Sequence, residues 1–588
     1  MTVNHNDCRR AMHPPEIDSV LIPLVVGVAG HRDLVPETIP AIEAALRKVF
    51  EDLRRMHDGS PMIVLSALAE GADRVVARIA LEFDAKLVVT FPMPIAQYRH
   101  DFGTPESQTE FDDLLGSAAH SFELPLVEGN TPADIAAPGM PRDMQYGRLG
   151  DYIARHSQIL IALWDGVDLG KSGGTGHVIR LRRFGLPDAF AERPNSLHQP
   201  EGGLTYHLMV PRLSNPEPAR DLYSVTILYP EDWGSEAHAA ELYRGIARET
   251  SIYNRDVRGL HPKLRGEIDG NKRRAVPPQH ADLLGEPCAG LLSCYAVADT
   301  LASRYRTRRV RTIRALFLIV LAAFVILQLN AETYRSPGLL LLYPLILALG
   351  WVWYSAARGA GYETKHEDYR ALAEAMRVQL FWGLAAIDQN VSDHYLLKHR
   401  GELQWIRFAV RGWTLPCWPR VSPAADRLRI VADCWVAGQR DFFERKTPAN
   451  ALGFGRLKSL SNWLFLASGV LALLPFGLWR SWSFFAGPAS YPIGSIYRIT
   501  VVAIGMLLAA AAALYGYAEK TVLSEQARQY GRMAPVFRYA HTRLVDLLAR
   551  GDLARAQAIL LELGKEALAE NADWLLLHRA QPLEVPRP

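Results

Sequence analysis

The sequence predicts an α/β domain built on a parallel sheet, followed by an all-α domain with four transmembrane helices. Two patterns predict this fold class. Residues 20–235 alternate short apolar runs with amphipathic helical patterns, and long uncharged stretches follow after residue 312. The chain of 588 residues is also too long for one hydrophobic core, which favours at least two domains.

Apolar runs in the first domain have the length and composition of buried strands. Helical patterns, with apolar residues three and four apart, lie between them over 39–53 and 72–81. Strands that alternate with helices predict a parallel sheet covered on both faces. The predicted strands are Leu24–Ala29, Met62–Ala67, Lys86–Phe91, Gln158–Trp164 and Ser224–Leu228.

The stretches 101–145 and 190–220 are rich in Pro, Gly, Asn and Ser, so the sequence predicts long loops there. The boundaries predicted along the chain fall where the pattern changes. They give an N-terminal tail 1–19, the α/β domain 20–235, a helical connector 236–312, a first transmembrane hairpin 313–357, a cytoplasmic helical segment 358–458, a second hairpin 459–518 and C-terminal cytoplasmic helices 519–588.

Four stretches without charged residues are predicted to cross a membrane, since a crossing helix needs about 20 largely apolar residues. The alternative, a buried helix of a soluble domain, is strongest for the first stretch because it is the shortest. The four stretches are Ala315–Ala331, Gly338–Ala357, Ser459–Trp479 and Ile499–Ala518.

Basic residues precede the first and third stretches and follow the second and fourth, which predicts cytoplasmic N- and C-termini. The densest run lies at 304–314; it could bind anionic lipid, although its ordinary role is to set topology. The tripeptide ValAlaAsp at 297–299 recurs at 431–433, and each hairpin is followed by a polar helix. The two hairpins are therefore candidate repeats.

Charge and cysteine content exclude several classes of function. A net charge of +3 gives no broad cationic face, so nucleic acid is not an expected partner. The five cysteines are scattered, without metal-ligand spacing, and predict reduced thiols and no metal site. The N-terminus lacks a cleavage site after its first apolar run, so no signal peptide is predicted.

Three loops follow predicted strands, at the edge where parallel sheets bind ligands. In the first, 27–33, the glycine Gly30 allows a close approach, and His31 and Arg32 would meet an anion. The glycines could equally serve the turn alone. In the second, 66–81, Gly71 permits a turn and Asp73 either caps the helix or hydrogen-bonds a ribose hydroxyl.

The third loop, 165–177, contains a glycine-rich run that leads into a helix. Successive backbone N–H groups of Gly173, Gly174, Thr175 and Gly176 could cradle a phosphate, and the alternative is a flexible surface loop. His177 lies on the same loop, and Asp165 begins it.

Together, GHRD, SALAEGADRVVARIAL and ILIALWDG with its GGTGH loop resemble the SLOG superfamily, a Rossmann-like group that includes the Lonely Guy phosphoribohydrolases. The resemblance covers residues 20–235. It implies a site for a nucleotide or nucleotide-sugar derivative and no further cofactor. The candidate ligand contacts are Gly30, His31, Arg32, Ser66, Glu70, Gly71, Asp73, Asp165, Gly173, Gly174, Thr175, Gly176 and His177.

One departure separates this chain from the Lonely Guy enzymes, whose glycine loop carries a glutamate that serves cleavage of the N-glycosidic bond. Arg180 stands where that glutamate would fall, and a cationic side chain cannot act as a carboxylate base. Glu70 or Asp165 could replace it. Binding without turnover is therefore favoured over an enzyme, and no catalytic residue is assigned.

The hairpins with long flanking helices resemble the SLATT membrane modules of bacterial conflict loci. This resemblance implies a multi-pass protein of the bacterial inner membrane that forms a homo-oligomer. The sequence thus predicts an effector that senses a nucleotide-derived second messenger and opens a pore or disrupts the membrane in antiphage defence. The alternatives are a membrane-tethered N-glycosidase and a membrane scaffold without a small-molecule ligand.

Overall fold

A computed structural model describes residues 17–170, 173–185, 202–218, 221–395, 403–415, 424–486, 493–521 and 523–579, with side chains except at 260–261, 333, 474–486 and 493–496. The chain divides into two compact units. The first comprises residues 1–297 and 375–423, and the second comprises residues 298–374 and 424–588. The first unit contains the sheet, and the described part of the second is helical.

Seven strands form one sheet in the order β4-β3-β2-β1-β5-β6-β7. Neighbouring strands are parallel except β6 and β7, which are antiparallel. The predicted parallel α/β sheet is therefore confirmed, with one antiparallel strand at its edge. The strands are β1 Leu24–Gly30, β2 Met62–Ser66, β3 Lys86–Phe91, β4 His120–Glu123, β5 Ile159–Trp164, β6 Leu204–Met209 and β7 Val225–Leu228.

Helices cover both faces of the sheet, because alternate residues of each central strand point to opposite sides. On β1, Val26 and Val28 belong to one hydrophobic core, whereas Val25 and Ala29 belong to the other. The helices within this part of the chain are α1 Ile39–Met56, α2 Ala72–Glu82, α3 Ile95–Tyr98, α4 Pro105–Gly116, α5 Met140–His156 and α6 Thr175–Phe184.

The prediction of long loops at 101–145 and 190–220 is wrong in part, because α4, β4, the start of α5 and β6 lie there. Strand β4 is short and buries only Phe122, so it gives almost no apolar pattern. Every residue of β6 is buried, but Thr205 and His207 interrupt the apolar run that predicts a buried strand.

The rest of the described chain is mainly helical. The longer helices are α7 Glu236–Leu260, α8 Arg265–Ala275, α9 Gly285–Leu329, α10 Pro337–Gly359, α11 Tyr362–Leu384, α12 Gln404–Thr414, α13 Ala425–Ile430, α14 Gly438–Ala486, α15 Ile493–Lys520, α16 Leu523–Ala549 and α17 Leu553–Arg579. A π-helical segment, Val431–Ala437, joins α13 to α14.

Two of these helices hold the segment that enters β1. Asn254 on α7 accepts a hydrogen bond from the backbone N–H of Ile22 at 2.8 Å and donates to its carbonyl at 3.0 Å. Trp413 on α12 donates its indole N–H to the carbonyl of Leu21 at 2.9 Å. Helix α12, which comes from the predicted segment 358–458, is therefore part of the first unit.

The described residues contain three helical stretches long and apolar enough to cross a membrane, not four. They lie within Gly285–Glu332, Pro337–Leu384 and Tyr497–Ala549 and include the predicted first, second and fourth spans. The predicted span Ser459–Trp479 falls in α14, whose described side chains end at Leu473, short of the about 20 residues that a crossing needs. Residues 474–479 lie outside the described side chains.

Small residues bring the apolar helices of the second unit close together. Gly350 on α10 packs against Ile319 on α9, where a Cβ would lie 2.9 Å from Ile319 Cγ2. Ser461 on α14 donates its hydroxyl to the carbonyl of Ala511 on α15 at 2.8 Å. Large apolar side chains still face outward on these helices, including Leu318 at 66 % and Leu349 at 62 % exposure. Outward apolar surface of this extent is typical of contact with lipid.

Replacing Asn254 by alanine should loosen the entry to β1, because the buried N–H and C=O of Ile22 would lose their partner, at a cost of about 1–3 kcal/mol. We expect faster hydrogen–deuterium exchange over residues 20–28 of the full chain and a lower midpoint of thermal unfolding. Arg255→Ala, at the exposed neighbouring position, is the control and should change neither measurement. Equal exchange in the two variants would contradict this role of Asn254.

Candidate functional site

The sheet topology places the three predicted loops side by side. Strand β1 lies between β2 and β5, so the loops after these three strands share one edge, at their carboxyl ends. The chain moves outward from β1 through β2, β3 and β4, and then returns to β5 on the other side of β1. The strand order reverses between β1 and β5, and such a switch point is where open α/β sheets bind ligands.

Glycines interlock the first two loops. Gly71 has φ +78°, and a Cβ there would lie 2.6 Å from the carbonyl oxygen of His31. Ala72 N–H donates to that same carbonyl at 3.0 Å. A Cβ on Gly30 would clash with Ala72 Cβ. Gly30 and Gly71 therefore have a demonstrable packing role between the loops after β1 and β2.

His31 is held between a carboxylate and a guanidinium and is 9 % exposed. Arg212 Nη1, which can only donate, lies 3.3 Å from His31 Nδ1, so Nδ1 accepts and Nε2 carries the proton. That proton is donated to Asp165 Oδ1 at 3.0 Å. The backbone N–H of Asp165 also lies 3.2 Å from Nε2, but the shorter, charge-assisted contact sets the tautomer.

This arrangement leaves the imidazole of His31 neutral and Asp165 ionised. Burial lowers the pKa of His31 and outweighs the opposite effect of Asp165. Burial raises the pKa of Asp165, but hydrogen bonds from Asn215, Val167 and His31 outweigh it, so this pKa lies below its usual value. A neutral His31 supplies no positive charge for an anion, and whether it contacts a ligand stays a prediction.

Residues after β6 complete this cluster, and the sequence analysis missed them. Asn215 donates to Asp165 Oδ2 at 3.0 Å, and Arg212 Nε lies 3.3 Å from Asp33 Oδ2. The backbone N–H of Leu213 donates to the Asp33 carbonyl at 2.8 Å. Because 190–220 was predicted to be a loop, there was no reason to expect these side chains at the carboxyl edge of the sheet. Had β6 been predicted, the residues that follow it would have been expected there.

Arg32 is the most exposed cation of the three loops that the structure describes, with 43 % of its side chain accessible. Its guanidinium lies 5.1 Å from the ring centroid of Tyr146 and 3.7 Å from Asp101. Asp101 is already engaged, since it accepts from Arg142 at 2.6 Å and from the Tyr146 hydroxyl. Arg32 is thus weakly neutralised and remains able to meet an anion.

Ser66 and Asp73 lie together beneath the second loop. Asp73 accepts from the Ser66 hydroxyl and the Ala67 backbone N–H, both at 3.2 Å, and from Ala69 N–H at 3.4 Å. Leu68, in the same loop, has φ 55°. Asp73 is 7 % exposed and holds this strained loop from within, so the structure favours its structural role over contact with a ribose.

Glu70 lies at the tip of the second loop and accepts a hydrogen bond from the Ser107 hydroxyl. Beneath it, the buried Arg74 donates to the Leu68 carbonyl at 3.2 Å, to the Ser107 carbonyl at 2.9 Å and to Glu110 at 3.0 Å. Glu70 and Arg74 therefore fasten the second loop to the start of α4.

The third loop is fixed against α5 and against itself. Gly173 has φ +78°, and a Cβ there would lie 2.9 Å from the Gly147 backbone nitrogen; its own N–H donates to His177 Nδ1 at 2.9 Å. A Cβ on Gly176 would lie 2.8 Å from Asp168 Oδ1. Residues 171–172 lie outside the described residues.

The amino end of α6 begins with the remaining predicted phosphate contacts. Gly174 is the N-cap and has no side chain with which to cap the helix, which begins with Thr175 and Gly176. Arg180 pairs with Asp168 across this loop. That ion pair lowers the pKa of Asp168 and partly neutralises Arg180.

The geometry brings His31, Arg32, Gly71 and Asp165 together at the switch point, with the amino end of α6 following β5 along the same edge. Within the residues that the structure describes, no group of three or more His, Cys, Asp or Glu side chains could hold a metal ion. The chain matches no known family model, no curated protein and no solved structure.

Substituting Gly71 by alanine should destabilise the edge by about 1–3 kcal/mol, because it forces a Cβ into a left-handed conformation and against two carbonyls. The matched control is Gly116→Ala, where φ is ordinary and a Cβ meets nothing within 4 Å. Thermal unfolding of the full chain should show a lower midpoint for Gly71→Ala alone. Similar midpoints would refute the proposed close approach of the two loops.

Stability should also depend on pH through Asp73, whose pKa burial raises to about 6. The native state then holds this proton more tightly than the unfolded chain, so its stability falls as the pH rises from about 4 to about 6. Asp73→Asn should flatten this part of the pH profile by on the order of 2–3 kcal/mol, measured by scanning fluorimetry. Asp84→Asn, at an exposed position, should leave the profile unchanged; a wild-type slope in Asp73→Asn would count against this assignment.

Proposed function

We propose that residues 20–235 form a nucleotide-sensing domain, of SLOG type, that controls a membrane effector. The ligand would be a nucleotide or nucleotide-sugar derivative, bound at the carboxyl edge beside β1 and β5. The observation that carries this proposal is the position of Arg32. It is an exposed, weakly neutralised guanidinium at the point where the strand order reverses.

We expect different residues to contact the phosphate and the sugar of the ligand. Arg32 would pair with a phosphate, and the Tyr146 ring beneath it would hold the guanidinium in position. The amino end of α6, with Gly174, Thr175 and Gly176, would add backbone N–H groups and the favourable end of a helix dipole. Hydrogen bonding to a sugar would fall to residues nearer Glu70.

The membrane part is proposed to be a multi-pass bundle in the bacterial inner membrane, with both chain termini cytoplasmic. The flanking basic residues support this orientation. We propose that Ser459–Trp479 is a fourth crossing, which pairs with Ile499–Ala518 and completes two hairpins of SLATT type. The expected outcome of activation is pore formation or membrane disruption in antiphage defence, by a homo-oligomer.

Transmission requires two states of the protein with different affinities for the ligand, because a ligand shifts an equilibrium only by that difference. We propose that the helices of residues 236–312 pass this change on to the membrane part.

One observation favours a second candidate, a membrane-tethered nucleotide N-glycosidase. The neutral His31 is oriented by the ionised Asp165, which is the arrangement of a general base and its supporting carboxylate. Against it, His31 is buried and its second nitrogen accepts from Arg212. A scaffold that binds only protein would leave the exposed Arg32 unexplained.

Ligand binding should be measured on the purified full chain with a panel of cyclic nucleotides, ADP-ribose-type dinucleotides and nucleoside monophosphates. We expect at least one compound to raise the thermal midpoint. Arg32→Gln should weaken its binding by about 10-fold to 100-fold through loss of charge-assisted hydrogen bonds. Arg55→Gln, at an exposed position in the last turn of α1, should bind normally. Release of free base in the same samples would favour the glycosidase, and no shift by any compound would refute the sensor.

A further inference from the structure

The arginines of α9 differ in whether the protein neutralises them. Arg309 is buried and pairs with Glu363 at 2.9 Å. Arg306, Arg308 and Arg311 make no ion pair with any carboxylate that the structure describes. These arginines, which sequence alone presents as one basic run, therefore belong to two classes.

Arg308 is held in place without being neutralised. Its guanidinium carbon lies 5.5 Å from the ring centroid of Tyr305 and 5.4 Å from that of Tyr362. Aromatic faces attract a cation but accept few of its five N–H donors. Arg308 is consequently positioned with hydrogen-bonding capacity left for an anion.

Contacts between neighbouring helices of the second unit show that further cations lie at a similar height along the helix axes. Arg314 Nε donates to the Tyr517 hydroxyl at 3.0 Å, and Gly350 packs against Ile319. Because α9 and α10 run in opposite directions, Arg311 and Arg358 both lie about 12 Å from the contact between Ile319 and Gly350, on the same side.

Helix α14 contributes to this level in the same way. Ser461 contacts Ala511, and Gly453 packs against Leu523, so α14 and α15 are antiparallel. Arg456 therefore lies near the level of Tyr517 and so of Arg314. We call the set Arg308, Arg311, Arg314, Arg358 and Arg456 the basic belt. The opposite end of these helices carries three basic residues, Arg335, Arg480 and Arg498, of which Arg480 lies outside the described side chains.

The basic belt borders the outward apolar surface. Arg311, Arg314 and Leu318 follow at helical spacing on one face of α9, and Leu318 is 66 % exposed. A cation that is unneutralised by protein and next to surface of this kind meets the phosphates of a lipid bilayer first. The planar guanidinium of arginine binds phosphate through two hydrogen bonds at once, which lysine cannot do.

We propose that the basic belt is a binding site for the headgroups of anionic phospholipids, centred on Arg308, Arg311 and Arg314. This site acts beyond setting topology, because the guanidinium of Arg308 is pre-positioned by two aromatic rings and that of Arg314 by a hydroxyl. It does not depend on the nucleotide site proposed at the sheet. Phosphatidylglycerol is the simplest lipid with the required single negative charge.

The test uses the full chain in neutral detergent, titrated with phosphatidylglycerol or phosphatidylcholine and followed by native mass spectrometry of bound lipid. We expect phosphatidylglycerol to bind more tightly. Each belt cation near a membrane surface contributes a factor of about five, so the double variant Arg311→Gln with Arg314→Gln should bind phosphatidylglycerol about thirty-fold more weakly.

The matched control removes two charges away from the belt. Arg528→Gln with Arg550→Gln replaces arginines that are 74 % and 71 % exposed, and it should bind phosphatidylglycerol like wild type. Equal weakening in both double variants would overturn the site, since net charge alone would then account for binding. Equal affinity for the two lipids would overturn it as well.

A third variant covers the case in which the belt variant does not fold. Arg308→Lys keeps the charge but removes the planar fork, and it should still weaken phosphatidylglycerol binding about threefold to tenfold. Competition with inorganic phosphate tests whether the basic belt binds a lipid headgroup or a free anion. Competition by millimolar phosphate as strong as that by the lipid would show a free-anion site and refute the headgroup assignment.

Discussion

The hydrogen bond between His31 and Asp165 fixes the carboxyl edge of the sheet. It joins the loops after β1 and β5 where the strand order reverses, and Arg212 and Asn215 attach the loop after β6 to the same pair. Removing His31 would leave the buried carboxylate of Asp165 without one of its hydrogen-bond donors, at a cost of about 1–3 kcal/mol. The loops after β1, β5 and β6 are therefore joined through this one pair of side chains.

This contact also separates the charges of the edge by role. The neutral His31 donates a hydrogen bond to the ionised Asp165, and Arg212 forms an ion pair with Asp33. Arg32, one residue along from His31, keeps its guanidinium outside this cluster and faces a carboxylate that Arg142 and Tyr146 already occupy. Two adjacent residues of one motif thus have opposite properties: one is internal and neutral, and the other is accessible and cationic. Recognition of an anion at this edge would fall to Arg32.

The sequence predicted the parallel sheet and the position of three loops at the carboxyl ends of its strands, because apolar strand runs and glycine turns are local patterns. It missed β6, since Thr205 and His207 are polar yet buried there, and His207 finds its partner, the Trp164 carbonyl, on the neighbouring strand. Arg212 and Asn215, which follow β6, were missed with it, because they approach His31 and Asp165 only in the folded chain. Local sequence also could not distinguish the roles of Asp73, because capping and the support of an upstream loop require the same carboxylate at the start of a helix. Such roles depend on contacts, and contacts need the tertiary structure.

The second unit follows the same physical rule as the first. A buried cation paired with a carboxylate, such as Arg309 with Glu363, stabilises the packing of helices and has little charge or hydrogen-bonding capacity left for a ligand. A cation held by aromatic rings, such as Arg308 between Tyr305 and Tyr362, keeps its charge and its donors. These two arginines are adjacent in the chain, about 100° apart around the helix axis, and that rotation decides which role each one has. A run of arginines before a membrane span is therefore two features in one sequence: an inner face that assembles the helices and an outer face that is available to lipid phosphate.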